Sequence, residues 1–143
     1  PVIGLASAGA LATHSLLDGV AIGLAFQANS AVGITVAIAV IGHDFSDGLN
    51  TVGIMTAHRN TRRKAVIMLV IDALAPAVGA ASTLFFSLPE AALGLYLGFF
   101  AGFLLYLATA DILPEAHSRH PSRLTFFCTL GGVGLMWAVV ALP

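Results

Sequence analysis

Charge is the scarcest property of this sequence. Lys and Arg together number 6 and Asp and Glu 7, so that charged residues make up 9% of the chain. A typical soluble domain has about 25%. Hydrophobic residues make up 58%, and the mean hydropathy is +0.95. So few charges could not cover the surface of a water-soluble domain, and a net charge of −1 without a broad basic face excludes nucleic-acid binding.

Cysteine is also nearly absent. The single Cys128 excludes a disulfide framework and any zinc fold built on cysteines. The chain opens with Pro1 rather than Met and shows no signal-peptide pattern, so we expect it to be part of a longer protein that lacks its amino-terminal helices here. The composition that remains is that of a polytopic membrane protein.

Long apolar runs are what the sequence has instead. A membrane-spanning helix needs about 20 mostly apolar residues. Five stretches qualify, at about residues 2–26, 31–57, 65–87, 90–112 and 124–142. Unbroken runs of this length favour helices over the strands of a barrel. We therefore predict an all-α polytopic membrane protein, in which residues 1–143 form a single membrane domain of five transmembrane helices.

The basic residues predict how the chain is oriented in the lipid bilayer. All six lie in two connections: Arg59, Arg62, Arg63 and Lys64 between the second and third spans, and Arg119 and Arg123 between the fourth and fifth. With five alternating spans, these two connections lie on the same side of the membrane. The positive-inside rule makes that side cytoplasmic, so we expect an extracytoplasmic carboxyl terminus in a protein of the cell membrane.

Four of the seven acidic residues fall inside predicted spans and away from the span ends, and no Lys or Arg falls inside a span. They are Asp18, Asp44, Asp47 and Asp72. Each charge at a helix centre costs about 2.5–3.5 kcal/mol on insertion scales, so the four together cost on the order of 10 kcal/mol. Protons or a bound metal cation could offset this cost. The alternative is that these carboxyl groups are protonated and hydrogen-bonded to neighbouring helices.

A repeated motif favours the metal. His14 and Asp18, followed by glycine, and His43 and Asp47, also followed by glycine, share the pattern His-x-x-x-Asp-Gly on antiparallel helices. Residues four apart lie on one helix face, so each helix directs an imidazole and a carboxylate the same way. Two such faces together offer four mixed nitrogen and oxygen ligands, which suit Zn²⁺ and other divalent transition metals.

Three further residues are candidate ligands. Asp44 lies about 100° around the helix from His43 and could reach a second ion, and Ser15 holds the equivalent place on the first helix as a weaker donor. Asp72 precedes Pro76 by four residues, and a helical proline leaves the carbonyl at that position unpaired. Asp72 is thus a candidate third-helix ligand or stepping site, with a kink beside a protonated carboxyl group as the alternative.

A polar stripe leads from the second motif toward the cytoplasm. Asp47, Asn50, Ile54 and His58 follow helical spacing to the edge of the span. Four residues around the fourth connection could receive a metal there: Asp111, Glu115, His117 and His120. A solvated loop with incidental histidines explains this cluster equally well.

The paired motifs resemble those of the ZIP (Zrt/Irt-like) metal transporters. His14-Ser-Leu-Leu-Asp18-Gly and His43-Asp44-Phe-Ser-Asp47-Gly are similar to the fourth and fifth helices of that family, and Tyr106-Leu-Ala-Thr-Ala-Asp-Ile-Leu-Pro-Glu115 is similar to the end of its seventh. The resemblance covers the whole chain as helices four to eight of an eight-helix transporter. It implies uptake of a divalent metal into the cytoplasm, most often zinc, with iron and manganese also open.

The resemblance also assigns the ligands. It implies a primary site formed by His14, Asp18, His43 and Asp47, and a second, bridged site formed by Ser15, Asp44 and Asp47. The sequence departs from the family pattern because both motif prolines are replaced, by Leu17 and Ser46, and both motif glutamates by aspartate. The usual third-helix glutamate falls at Ala75, so Asp72 can substitute only if its turn faces the site.

Two other functions remain open from the sequence. A zinc-dependent intramembrane hydrolase could use the same His and Asp residues to activate water, although His-Glu-x-x-His and Gly-x-Ser-x-Gly motifs are absent. A proton-coupled carrier of an organic substrate could use them as a relay. We predict a transporter rather than an enzyme, and we keep a second copy of the chain as a candidate partner.

Overall fold

The computed structural model describes residues 1–112, 114 and 123–141. Within these residues five α-helices follow one another: α1 (Val2–Ala28), α2 (Ser30–Ala57), α3 (Arg62–Ser82), α4 (Glu90–Leu107) and α5 (Arg123–Ala141). A 3₁₀ turn at Thr83–Phe85 follows α3, and a π-helical turn at Ala108–Ile112 continues α4. All five helices are long and apolar enough to cross a membrane. The prediction of an all-α polytopic membrane protein is confirmed.

Polar residues mark the ends of the first three helices. Asn29 takes an extended backbone between α1 and α2, and its side chain accepts a hydrogen bond of 2.7 Å from the Ala31 amide, which caps α2. Arg59 follows α2 with a φ of 58°, the left-handed conformation in which many helices end. The Thr61 hydroxyl then accepts a hydrogen bond from the Lys64 amide and caps α3. These caps satisfy backbone groups that the helices leave unpaired.

Residues 1–93 form one compact unit, in which α1 packs against both α2 and α3 and most extensively against α3. Two glycines allow the close approach of α1 and α3. A Cβ atom on Gly19 would overlap the backbone of Pro76, and one on Gly79 would overlap the carbonyl oxygen of Leu16. The two backbones are therefore in direct contact, as is typical of membrane helices that cross at small residues.

The interior of this unit combines mostly small apolar residues with several polar ones. The side chains that are buried include the polar residues Ser15, Asp18, Thr51, Asp72 and Thr83. Large apolar side chains such as Phe45, which is 75% exposed, point outward. This arrangement is expected in lipid, where apolar residues face the acyl chains and ionisable groups face the helix interior.

Residues 94–143 form a second compact unit. Along α4, Tyr96 stacks on Phe100 and Phe99 stacks on Phe103, each pair one helical turn apart. In the described part of this unit, α5 has no buried residue. Its apolar side chains are exposed as those of a lipid-facing helix are.

Candidate metal centre

The first two helices bring three of the predicted ligands together. Asp18 Oδ2 lies 2.9 Å from His43 Nε2 and 3.4 Å from His14 Nε2. The centroids of the two imidazole rings are 5.9 Å apart. The two motifs therefore meet across the α1–α2 contact, with the Asp18 carboxylate between the two histidines.

Asp18 is the deepest residue of this group. Its relative exposure is 0%, and its Oδ1 atom is buried without a hydrogen-bond partner among the described residues. Within the residues that the structure describes, the Asp18 carboxylate forms ion pairs with the imidazoles of His14 and His43. Burial of a carboxylate oxygen without a partner is costly. A cation bound beside it would supply the missing interaction.

His43 is prepared to donate a lone pair. Its Nδ1 lies 3.1 Å from the carbonyl oxygen of Ala39, one turn earlier in α2, and a carbonyl can only accept a hydrogen bond. A neutral ring with its proton on Nδ1 would offer the Nε2 lone pair to a metal ion, which would replace the 2.9 Å hydrogen bond between Nε2 and Asp18 Oδ2. Metal-ligating histidines are commonly oriented by this kind of hydrogen bond.

A second group of ligands shares this histidine. His43 Nε2 lies 3.8 Å from Asp44 Oδ1 and 4.0 Å from Asp47 Oδ2. Among the described residues, two sets could thus hold a metal ion, His14 with Asp18 and His43, and His43 with Asp44 and Asp47. In each set the candidate ligand atoms lie within 4.8 Å of one another.

The spacing of these atoms suits a small divalent ion. Ligands about 2.0 Å from a tetrahedral zinc ion lie about 3.3 Å from one another. The separations of 2.9 and 3.4 Å around Asp18 Oδ2 bracket this value. Imidazole nitrogen with carboxylate oxygen is also a donor set that zinc and its neighbours accept.

Ser15 and Asp72, the other two predicted ligands, are bonded to each other. The Ser15 hydroxyl donates a hydrogen bond of 2.8 Å to Asp72 Oδ1. The Thr51 hydroxyl donates one of 3.1 Å to Asp72 Oδ2. Neither Ser15 nor Asp72 belongs to the two ligand sets found among the described residues.

Sequence reasoning did not single out Thr51. Its signal was its position, since Thr51 lies four residues after Asp47 and eight after His43, on the same face of α2. A groove of about 610 Å³ opens beside this cluster, and Ser15, Asp44 and Asp72 are the polar or charged side chains in its mostly apolar lining.

The polar stripe that follows the second motif along α2 is described in part. His58, at its end, places Nδ1 2.9 Å from the carbonyl oxygen of Ile54. The cluster expected to receive the metal, Glu115, His117 and His120 with the side chain of Asp111, lies outside the described residues.

Comparison with known proteins identifies the family. The ZIP zinc transporter family matches residues 2–140. Zinc transporter zipt-7.2 of Caenorhabditis elegans is 30% identical over 135 residues, which are 89% of this chain and 29% of that protein. Human zinc transporter ZIP4 is 27% identical over 133 residues, which are 92% of this chain and 21% of that protein. Human zinc transporter ZIP10 is 31% identical over 127 residues, which are 82% of this chain and 14% of that protein.

The chain spans less than a third of the length of these relatives. No solved structure matches it. The matched proteins are transporters and not enzymes, so the hydrolase considered from the sequence finds no support. The helices and the family together make this a multi-pass membrane protein. Because the match covers nearly all of the sequence, we conclude that the chain belongs to the ZIP zinc transporter family.

Proposed function

We propose that this chain carries the metal site of a transporter that moves divalent cations, zinc foremost, across the cell membrane into the cytoplasm. The observation that carries the proposal is Asp18, a fully buried carboxylate that lies between two imidazoles and has one oxygen without a partner among the described residues. A dehydrated divalent ion would satisfy that oxygen. Transporter sites typically lie near the bilayer midplane, where such an ion would be enclosed by protein.

His14, Asp18 and His43 would bind the ion first, and His43, Asp44 and Asp47 would form the next position. His43 Nε2 belongs to both sets. One nitrogen lone pair coordinates one ion at a time, so the two sets are best understood as successive positions of a single ion. His43 would then remain bound while the carboxylate ligands exchange.

Alternating access requires that the ion leave as well as enter. The side chain of Asp18 is fully buried, whereas those of Asp44 and Asp47 are 26% and 17% exposed. A shift from Asp18 to the second set therefore moves the ion toward side chains that are partly exposed, although Asp44 Oδ1, the oxygen nearest His43, is buried. Asp44 also lines the groove beside Asp72, which offers space next to this second position.

Direct measurement of flux tests the proposal. The full chain would be reconstituted in liposomes that contain a zinc-sensitive dye, and external Zn²⁺ would be added. We expect dye response with the wild-type chain and loss of the response in a variant with His14→Ala and Asp47→Ala. Thr56→Val is the matched control, because Thr56 is an exposed α2 residue whose hydroxyl bonds back to the Val52 carbonyl. Equal flux in the double variant and the wild type would refute the site assignment.

The inward direction depends on the orientation of the chain. Lys64, the single lysine of the sequence, lies in the first turn of α3, next to the α2–α3 connection. If this connection is cytoplasmic, a membrane-impermeant amine reagent should modify Lys64 only after cells are permeabilised, as read by peptide mapping. Modification of Lys64 in intact cells would reverse the proposed topology.

A further inference from the structure

Asp72 lies where the three helices of the first unit meet. It is 4% exposed, and both of its carboxylate oxygens accept hydrogen bonds from hydroxyl groups. One hydroxyl belongs to Ser15 on α1 and the other to Thr51 on α2, whereas Asp72 itself is on α3. A single buried side chain thus connects all three helices.

The two hydroxyl groups are tied closely to the metal ligands. Ser15 follows His14 directly and precedes Asp18 by three residues, so it shares the buried face of α1 with Asp18. Thr51 lies one turn beyond Asp47 and two turns beyond His43 on one face of α2. The position of Thr51 relative to α3 therefore determines the depth and the rotation at which α2 presents His43 and Asp47.

The three helices are not held to one another equally. The backbones of α1 and α3 touch at Gly19 and Gly79, which leaves that pair little freedom to slide. The contact of α2 with α3 is the least extensive of the three, and the Thr51–Asp72 hydrogen bond belongs to it. In lipid, interhelical hydrogen bonds of this kind stabilise helix association because apolar contacts alone provide little preference.

We propose that Asp72 is a positioning residue: through Thr51 it holds α2 in register against the α1–α3 pair and so sets the distance between Asp18 and His43. This inference rests on the proposed metal site. It gives Asp72 a role other than that of a ligand, because both of its oxygens accept hydrogen bonds from hydroxyl groups and it belongs to neither ligand set among the described residues. The hydrogen bond from Ser15 joins Asp72 to α1, which is already packed closely against α3. The hydrogen bond from Thr51 joins Asp72 to α2, and the distance between Asp18 and His43 depends on this second bond.

Removal of one hydroxyl tests this role. Thr51→Val keeps the shape of the side chain and removes the donor, Thr51→Ser restores the donor, and Thr56→Val is the same change at an exposed site of the same helix. Affinities of the purified full chain for Zn²⁺ and Cd²⁺ would be measured by calorimetry, with His43→Ala alongside. Should Thr51→Val fail to fold, Thr51→Ala takes its place and is compared with Thr51→Ser, from which it differs by the hydroxyl group alone.

We expect Thr51→Val to weaken zinc binding about tenfold, the lower end of what loss of a supporting hydrogen bond costs a metal site. Cadmium, a larger ion with longer bonds, should lose less, because selectivity depends on ligand geometry. Thr51→Ser should recover both affinities, and Thr56→Val should leave both unchanged.

Three results would overturn the positioning role or its basis. Wild-type zinc affinity in Thr51→Val, with binding lost in His43→Ala, would refute the role of Asp72 and leave the metal site in place. An equal loss for both ions that serine does not recover would show a structural role only. Wild-type affinity in His43→Ala would refute the metal site itself.

Discussion

The sharpest prediction concerns His43, the ligand that both sets share. Its Nε2 atom lies within 4.0 Å of the carboxylates of Asp18, Asp44 and Asp47. His43→Ala removes this atom from both sets, so the ion cannot recover the lost bond by moving to the second position. The variant should therefore lose zinc affinity at either position.

The size of the loss follows from the number of ligands. Zinc binding to small four-ligand sites is worth about 10–16 kcal/mol near neutral pH, or roughly 3 kcal/mol for each ligand. Since about 1.4 kcal/mol corresponds to a tenfold change in the dissociation constant, loss of one ligand should weaken binding about 100-fold.

Equilibrium zinc binding to purified protein is the assay, with His58→Ala as the matched control. His58 lies at the carboxyl end of α2 and, like His43, directs Nδ1 at the carbonyl oxygen four residues before it. The control thus removes the same ring and the same backbone contact away from the ligand sets. A loss of less than about threefold in His43→Ala, or equal losses in both variants, would refute the reasoning about ligand number.

Three further predictions follow from the structure. Gly79→Ala should lower the free energy of unfolding by about 1–3 kcal/mol, because the added Cβ would overlap the backbone of α1. Gly98→Ala is the control and should leave that free energy unchanged, because its Cβ would meet nothing within 4 Å among the described residues. Thermal melting of both variants makes the comparison. Arg59→Gly should raise the melting temperature, with a gain of about 1 kcal/mol, because Arg59 has a φ of 58° that glycine adopts without strain; a lower melting temperature would contradict this. Zinc affinity should weaken as the pH is lowered, because protons compete with the ion for the imidazole lone pairs, and an affinity that stays the same from about pH 7.5 to 5.5 would contradict the assignment of histidine ligands.

The helices could be predicted from hydropathy because the bilayer requires long apolar runs. The clearest difference is at α3, which was expected to begin near residue 65 and begins at Arg62. Thr61 caps the helix, and charged residues at the membrane surface can continue a helix beyond its apolar part. At the other end, α3 gives way to a 3₁₀ turn at Thr83–Phe85, several residues before the apolar run ends.

The site could be predicted in part for a similar reason. The spacing of four residues places His14 beside Asp18 within one helix, so this pair can be predicted without knowing how the helices pack. That Asp18 is the buried centre, and that it contacts His43 rather than Asp47, depends on the depth and rotation of α1 against α2. The contact between α1 and α2 determines that packing, and local periodicity does not report it.

Thr51 shows the same limit. The position of Thr51 places it on the face of the ligands but does not reveal its acceptor, since a threonine hydroxyl in a helix usually bonds to the carbonyl one turn earlier, as that of Thr35 does. Only the arrival of Asp72 from α3 gives the Thr51 hydroxyl a different acceptor.

X-ray absorption spectroscopy of the zinc-loaded full chain tests the central claim most directly, because it reports the atoms bound to the metal. We expect nitrogen and oxygen ligands at about 2.0–2.1 Å from the zinc ion, together with outer-shell scattering from two imidazole rings. In His43→Ala the number of scattering imidazole rings should fall to one. A shell with a sulfur at about 2.3 Å, which would point to Cys128, or one without imidazole scattering, would contradict it.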